Sequence, residues 1–169
     1  MRGGGPERSP RAGRLRFYTP AQLAALKRHA LSTLDVAIYT LAAEAGPRLS
    51  EIRGLTVRNV DFAVGVVRFE DGLTTRGGHA GNKRRRVRSV PMSDNVRVAL
   101  RPYCSDRPSD ALVFEHEVKP GQPLCGSSLY RRFRNAAKRA GLPILRFHDL
   151  RHSFGTRAIR VFNIYEVHR

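Results

Sequence analysis

Gly46-Pro47 is the feature that most constrains how this chain can fold. It closes an Ala-rich helical stretch that begins at Ser32 or Thr33 and reaches about Ala45. Proline fixes its own φ and restrains the residue before it, so that helix cannot run on. The chain must restart. Arg48 to Val57 carries Leu49, Ile52 and Leu55 at helical spacing, which predicts a short separate helix with Pro47 in its first turn.

Similar punctuation orders the rest. Thr19-Pro20-Ala21-Gln22 offers a cap, a proline at the first helical position and a capping-box glutamine, predicting a helix to about Ala30. Gly65 to Phe69 reads as a strand. After a Gly-rich loop, Arg84 to Pro91 reads as a basic strand holding Val87 and Val90. Ser93 caps a short helix ending near Pro102, and residues 103–126 hold turns and little regular pattern. Ser127 or Ser128 caps the next helix, with Leu129, Phe133, Ala136 and Ala140 on one face and Arg131, Arg134 and Lys138 nearly opposite. Gly141 and Pro143 stop it, and a final helix opens near His148 with Leu150, Phe154 and Val161 as its apolar stripe. Residues 1–16, rich in Gly, Pro and Arg, read as a disordered basic arm.

Charge narrows the partner. Lys and Arg total 31 against 14 Asp and Glu, a formal net of +17. A small protein with that self-repulsion points to a polyanion, nucleic acid ahead of a membrane surface. No apolar run approaches the ~20 residues of a bilayer span, and the first residues lack a signal-peptide core. Cys104 and Cys125 make no disulfide framework or C-x-x-C pair, which suits a reducing cytoplasm.

The chemistry concentrates in His148-Asp149-Leu150-Arg151-His152. On a helix, His148 and Arg151 are surface neighbours, held by the apolar stripe beside them. Arginine suits forked hydrogen bonding to phosphate oxygens, and imidazole moves protons near neutral pH. Taken alone, H-x-x-R is a weak signal and reads first as a satisfied surface pair.

Three segments together say more. Ala45-Gly46-Pro47-Arg48-Leu49-Ser50-Glu51, then Lys83 eight residues before the proline of Val90-Pro91, then His148-x-x-Arg151-His152 occur in this order. They resemble the catalytic domain of the tyrosine recombinases, the phage-integrase family, over about residues 17–167. The resemblance implies an α+β fold, mostly helical with a small antiparallel β-hairpin or sheet, and a domain over 17–169. It implies that Arg48 and Arg151 clamp a scissile phosphate, that Lys83 protonates the leaving 5′-oxygen and that His148 assists proton transfer at the nucleophile. Glu51 would support Arg48, and His152 is a further supporting candidate. Arg84, Arg85, Arg86, Arg131, Arg134 and Lys138 would contact DNA backbone. Double-stranded DNA is the implied partner, with other recombinase protomers assembling on it. No cofactor, metal or small-molecule substrate is implied, because two guanidiniums do the work that Mg²⁺ does elsewhere.

Two departures stand out. The family has Leu where this chain has Pro47, which puts the aim of Arg48 in question. The family's nucleophilic tyrosine follows the second arginine by about 32 residues, near position 183 and beyond Arg169. Tyr165 and His168 fall too early for the missing tyrosine and histidine. The expectation is therefore a catalytic domain lacking its C-terminal end, without a nucleophile in these residues and unable to cleave DNA by itself. The competing expectation is a non-enzymatic basic nucleic-acid-binding protein. A metal hydrolase built on His148 and His152 is a weaker third, since Asp149 stands where H-E-x-x-H needs Glu.

Overall fold

The computed structural model describes residues 17–70 and 87–161, with side chains through residue 155. The expected basic arm, the cationic run Lys83 to Arg86, Tyr165 and His168 lie outside the described residues. The fold is α+β, as expected. Helix α1 spans Pro20–Arg28, and its Thr19 cap and Gln22 form the expected capping box. Helix α2 spans Thr33–Ala45 from a Ser32 cap. It runs through the middle of the molecule, buried without a break from Ala37 to Ala43 and packed against α1 and three helices introduced below. Small alanines let those neighbours approach closely.

The restart after Gly46-Pro47 is shorter than the periodicity predicts. Helix α3 spans only Leu49–Arg53, and a 3-10 turn follows at Val57–Asn59. Leu55 keeps its buried place by another route, because its carbonyl accepts the Val113 N–H at 2.8 Å. Pro47 lies just before the Arg48 cap rather than in the first helical turn.

Strands β1 (Val60–Asp61), β2 (Val66–Phe69) and β3 (Arg88–Pro91) form an antiparallel sheet in that order. Val67 pairs with Val90 and Phe69 with Arg88. The period of two therefore puts Arg88 on the same, inward face as buried Val90, whereas Val87 is exposed and precedes the strand. Pro91 is tolerated because β3 is an edge strand among the described residues. Helix α4 (Asp94–Cys104) starts at the expected Ser93 cap but continues past Pro102, held by buried Leu100 and Cys104.

Residues 103–126 contain structure the sequence did not announce. Strands β4 (Glu115–His116) and β5 (Lys119–Pro123) make a hairpin. Side-chain ties rather than β-propensity hold it: the Glu115 carboxylate accepts from Gly121 N–H at 2.9 Å and pairs with Arg107.

Helix α5 spans Gly126–Arg139 and begins before either expected serine cap. The Arg53 guanidinium fixes the approach to this helix by donating to Leu124 O, two residues before it, at 2.6 Å. Helix α6 spans Asp149–Val161. One apolar cluster joins these elements, with Tyr39, Phe133 and Phe147 packed edge to face at its centre. Among the described residues no helix is long and apolar enough to cross a membrane.

Candidate functional site

The site grows from the corner after α2. Gly46 takes a left-handed φ of 62°, and a Cβ there would lie 2.5 Å from the Phe154 ring. Glycine is required twice, by conformation and by the close approach of α6. The last carbonyls of a helix lack internal partners and carry partial negative charge. At this corner the Gly46 carbonyl accepts from Arg151 Nη1 at 2.7 Å and, more weakly, from Arg88 Nη2 at 3.4 Å.

Glu51 completes the convergence. It is buried, at 8% exposed, and its Oε2 accepts the Arg48 backbone N–H at 2.7 Å, closing the first turn of α3. The same oxygen accepts from Arg88 Nη2 at 3.1 Å and lies 3.9 Å from Arg151 Nη1. Oε1 accepts from Arg48 Nη1 at 3.2 Å. One carboxylate thus meets three guanidiniums from three separate parts of the chain. Arg48 is the most open of them, with 63% of its side chain exposed. Partial burial lowers the pKa of Arg151, and nearby Arg88 and Arg48 push the same way while Glu51 opposes them. Arginine stays charged regardless, so the pocket keeps an excess of positive charge.

A tight turn presents the imidazoles. Asp149 is 1% exposed. Its Oδ2 accepts the Arg146 N–H at 2.8 Å, and its Oδ1 lies 3.0 Å from Arg146 Nη2. Burial would raise the Asp149 pKa, but these hydrogen bonds and the Arg146 charge outweigh it and hold the carboxyl below its usual range. Ser153, near the start of α6, accepts from the Tyr18 N–H at 3.1 Å and so ties this region to the segment before α1. His148 is exposed and meets His152 edge to face, ring centres 5.2 Å apart. Partial burial first, then His152, Arg151 and Arg146, lower the His148 pKa, with Asp149 partly opposing. A neutral imidazole is a ready proton acceptor.

The structure brings together Arg48, Glu51 and Arg151. Arg151 turns toward Gly46 and Glu51, and His148 stands beside His152. Arg131, Arg134 and Lys138 are exposed on α5, whereas their neighbours Arg132 and Arg139 are engaged, with Asp35 and Glu117 and with the His29 carbonyl. Among the described residues no group of three His, Cys, Asp or Glu side chains could hold a metal ion. Sequence reasoning missed Arg88, counted only as one cation of a basic run. The available signal was its spacing two residues before Val90, which puts it on the sheet's inner face.

Known proteins share this arrangement of segments. The phage integrase family model matches residues 18–162. Tyrosine recombinase XerC of Azotobacter vinelandii (strain DJ / ATCC BAA-1303) is 33% identical over 126 residues, covering 72% of this chain and 38% of that protein. The XerC of Stutzerimonas stutzeri (strain A1501) matches with the same identity and coverage. The chain therefore spans about two fifths of the length of these relatives. Among solved structures, the Tn1549 transposon integrase in complex with transposon right end DNA superposes with a TM-score of 0.74 at 18% identity, covering 95% of this chain and 57% of that one. By the family model and these relatives, the chain belongs to the phage integrase family.

Proposed function

We propose that these residues form the DNA-binding and phosphate-gripping part of a site-specific tyrosine recombinase, acting on duplex DNA in the cytoplasm together with other protomers. The observation that carries this reading is the convergence of Arg48 and Arg151 on the Gly46–Glu51 corner beside a third guanidinium. Arg48 and Arg151 neutralise charge growing on the non-bridging oxygens of the scissile phosphate. Preorganised donors of this kind commonly contribute ~3–4 kcal/mol each to catalysis. Lys83 protonates the leaving 5′-oxygen, and His148, neutral near pH 7, moves the proton at the attacking group. Glu51 holds Arg48 from below, and His152 supports His148. Arg84, Arg85, Arg86, Arg131, Arg134 and Lys138 follow the DNA backbone.

No tyrosine in the 169 residues stands at the family's nucleophile spacing. In this reading the 169-residue polypeptide supplies the phosphate grip, and none of its residues is assigned as the nucleophile. On a nicked suicide duplex it is expected to give no covalent adduct; an adduct through Tyr165 would overturn this part of the reading. Binding should weaken with salt at a log–log slope of about −5, for about six neutralised phosphates. Arg48→Ala and Arg151→Ala should weaken binding to a nicked duplex more than Arg85→Ala does. Equal losses would favour a non-enzymatic basic nucleic-acid-binding protein, and a flat salt response would remove both readings.

A further inference from the structure

We propose that Arg88 is a positioning residue of the phosphate pocket: it neutralises Glu51 so that Arg48 and Arg151 can turn their charge toward DNA. This rests on the phosphate reading of the site above. Three observations carry it. Arg88 is delivered from the sheet, on the inward face shared with Val90, and its guanidinium lies over the Phe69 ring, 5.1 Å from the centroid. Its place is thus fixed by register and packing, before any DNA arrives. Its Nη2 then donates to the same Glu51 oxygen that receives the Arg48 backbone N–H. Finally, Arg151 Nη1 stands off that oxygen at 3.9 Å, beyond hydrogen-bond length, and bonds the neutral Gly46 carbonyl instead.

The consequence is a division of labour. A buried carboxylate needs a cation close by. Without Arg88, the charge of Glu51 falls to Arg48 and Arg151 alone. Arg151 would close the gap to Oε2, Arg48 would stay on Oε1, and both would face inward. With Arg88 in place, Oε2 has its own cation, Arg48 gives one N–H to Oε1, and Arg151 gives none to Glu51. The five N–H donors of each remaining arginine then stay largely available for phosphate oxygens. Arg88 acts through Glu51, not on the substrate.

A double-mutant cycle tests this with the 169-residue protein and a short nicked duplex at fixed salt. Arg88→Gln keeps a donor and most of the packing but removes the charge. It should weaken binding about tenfold, equivalent to about 1.4 kcal/mol. In a Glu51→Gln background the same substitution should change binding by less than about twofold, because no carboxylate remains to capture the other arginines. Arg88→Lys restores the charge and should recover most of the affinity. An equal loss in both backgrounds overturns the inference, since Arg88 would then touch phosphate itself. So does unchanged binding by Arg88→Gln, or a failure of Arg88→Lys to rescue. Wild-type protein that ignores DNA would instead remove the phosphate reading, and this inference with it.

Discussion

Two buried carboxylates flank α2, and they are balanced in opposite ways. Asp35, in the first turn, is 2% exposed and faces Arg132 at 3.1 Å without hydrogen-bond alignment. Arg132 also pairs with Glu117, and Arg139 adds a more distant charge. Acids and bases there cancel. Glu51, just past the other end, meets Arg48, Arg88 and Arg151, so cations exceed the acid by two. The lesson is one of accounting by location. A balanced buried pair is consistent with a role inside the fold, whereas a cation excess around one carboxylate beside exposed guanidinium is an anion's place.

The largest expected effect breaks the corner that creates the Glu51 end. Gly46→Ala forces a left-handed alanine and drives its Cβ into Phe154. Left-handed strain of ~1–2 kcal/mol plus overpacking of ~1–3 kcal/mol predicts a loss of about 3 kcal/mol in urea unfolding. Gly65→Ala is the matched control, since its φ is also positive but the atom in the way is the end of the Arg97 side chain. It should cost only about 1 kcal/mol. Equal costs at both positions would mean that the packing of α6 on Gly46 does not hold the corner.

The next effect separates the two ends. Arg132→Ala leaves Asp35 buried without its nearest cation. For a partly exposed arginine this should cost about 2 kcal/mol, below the usual range for a fully buried pair. DNA affinity should not change. If affinity fell along with stability, the Asp35 cluster would belong to the binding surface, and the contrast drawn between the two ends would fail.

How much of this was legible depended on the range of the signals. Caps and breakers are local, so Thr19, Ser32, Ser93 and Gly46 marked their elements from sequence. The Arg48–Glu51 contact was also readable, since both residues lie on one helical turn. The β4–β5 hairpin was hidden because Lys119-Pro-Gly-Gln-Pro123 has no strand pattern; its stability comes from Glu115 reaching Gly121 and Arg107. The short α3 was hidden because Leu55 is buried by pairing with Val113, a partner remote in sequence. The acceptors of Arg151 were hidden for the same reason, as 105 residues separate it from Gly46. Arg88 was half visible: strand register pointed it inward, but nothing local named Glu51 as its partner.

The smallest effect probes the charge excess itself, through the imidazole beside it. His148 has its pKa lowered from the ordinary 6.5 by partial burial, then by His152, Arg151 and Arg146. Between that depressed value and 6.5 the unfolded chain binds more protons than the folded one. Stability therefore rises with pH through this window, and the penalty is complete below the folded value. Two-dimensional NMR should find the His148 midpoint below the ordinary 6.5. Replacing the neighbouring ring by His152→Ala should move it upward. Bound DNA should move it upward further, because a phosphate in the pocket cancels the cations that depress it and draws a proton onto the ring. A His148 midpoint that ignores DNA would place the phosphate elsewhere, and the cation excess around Glu51 would then need another explanation.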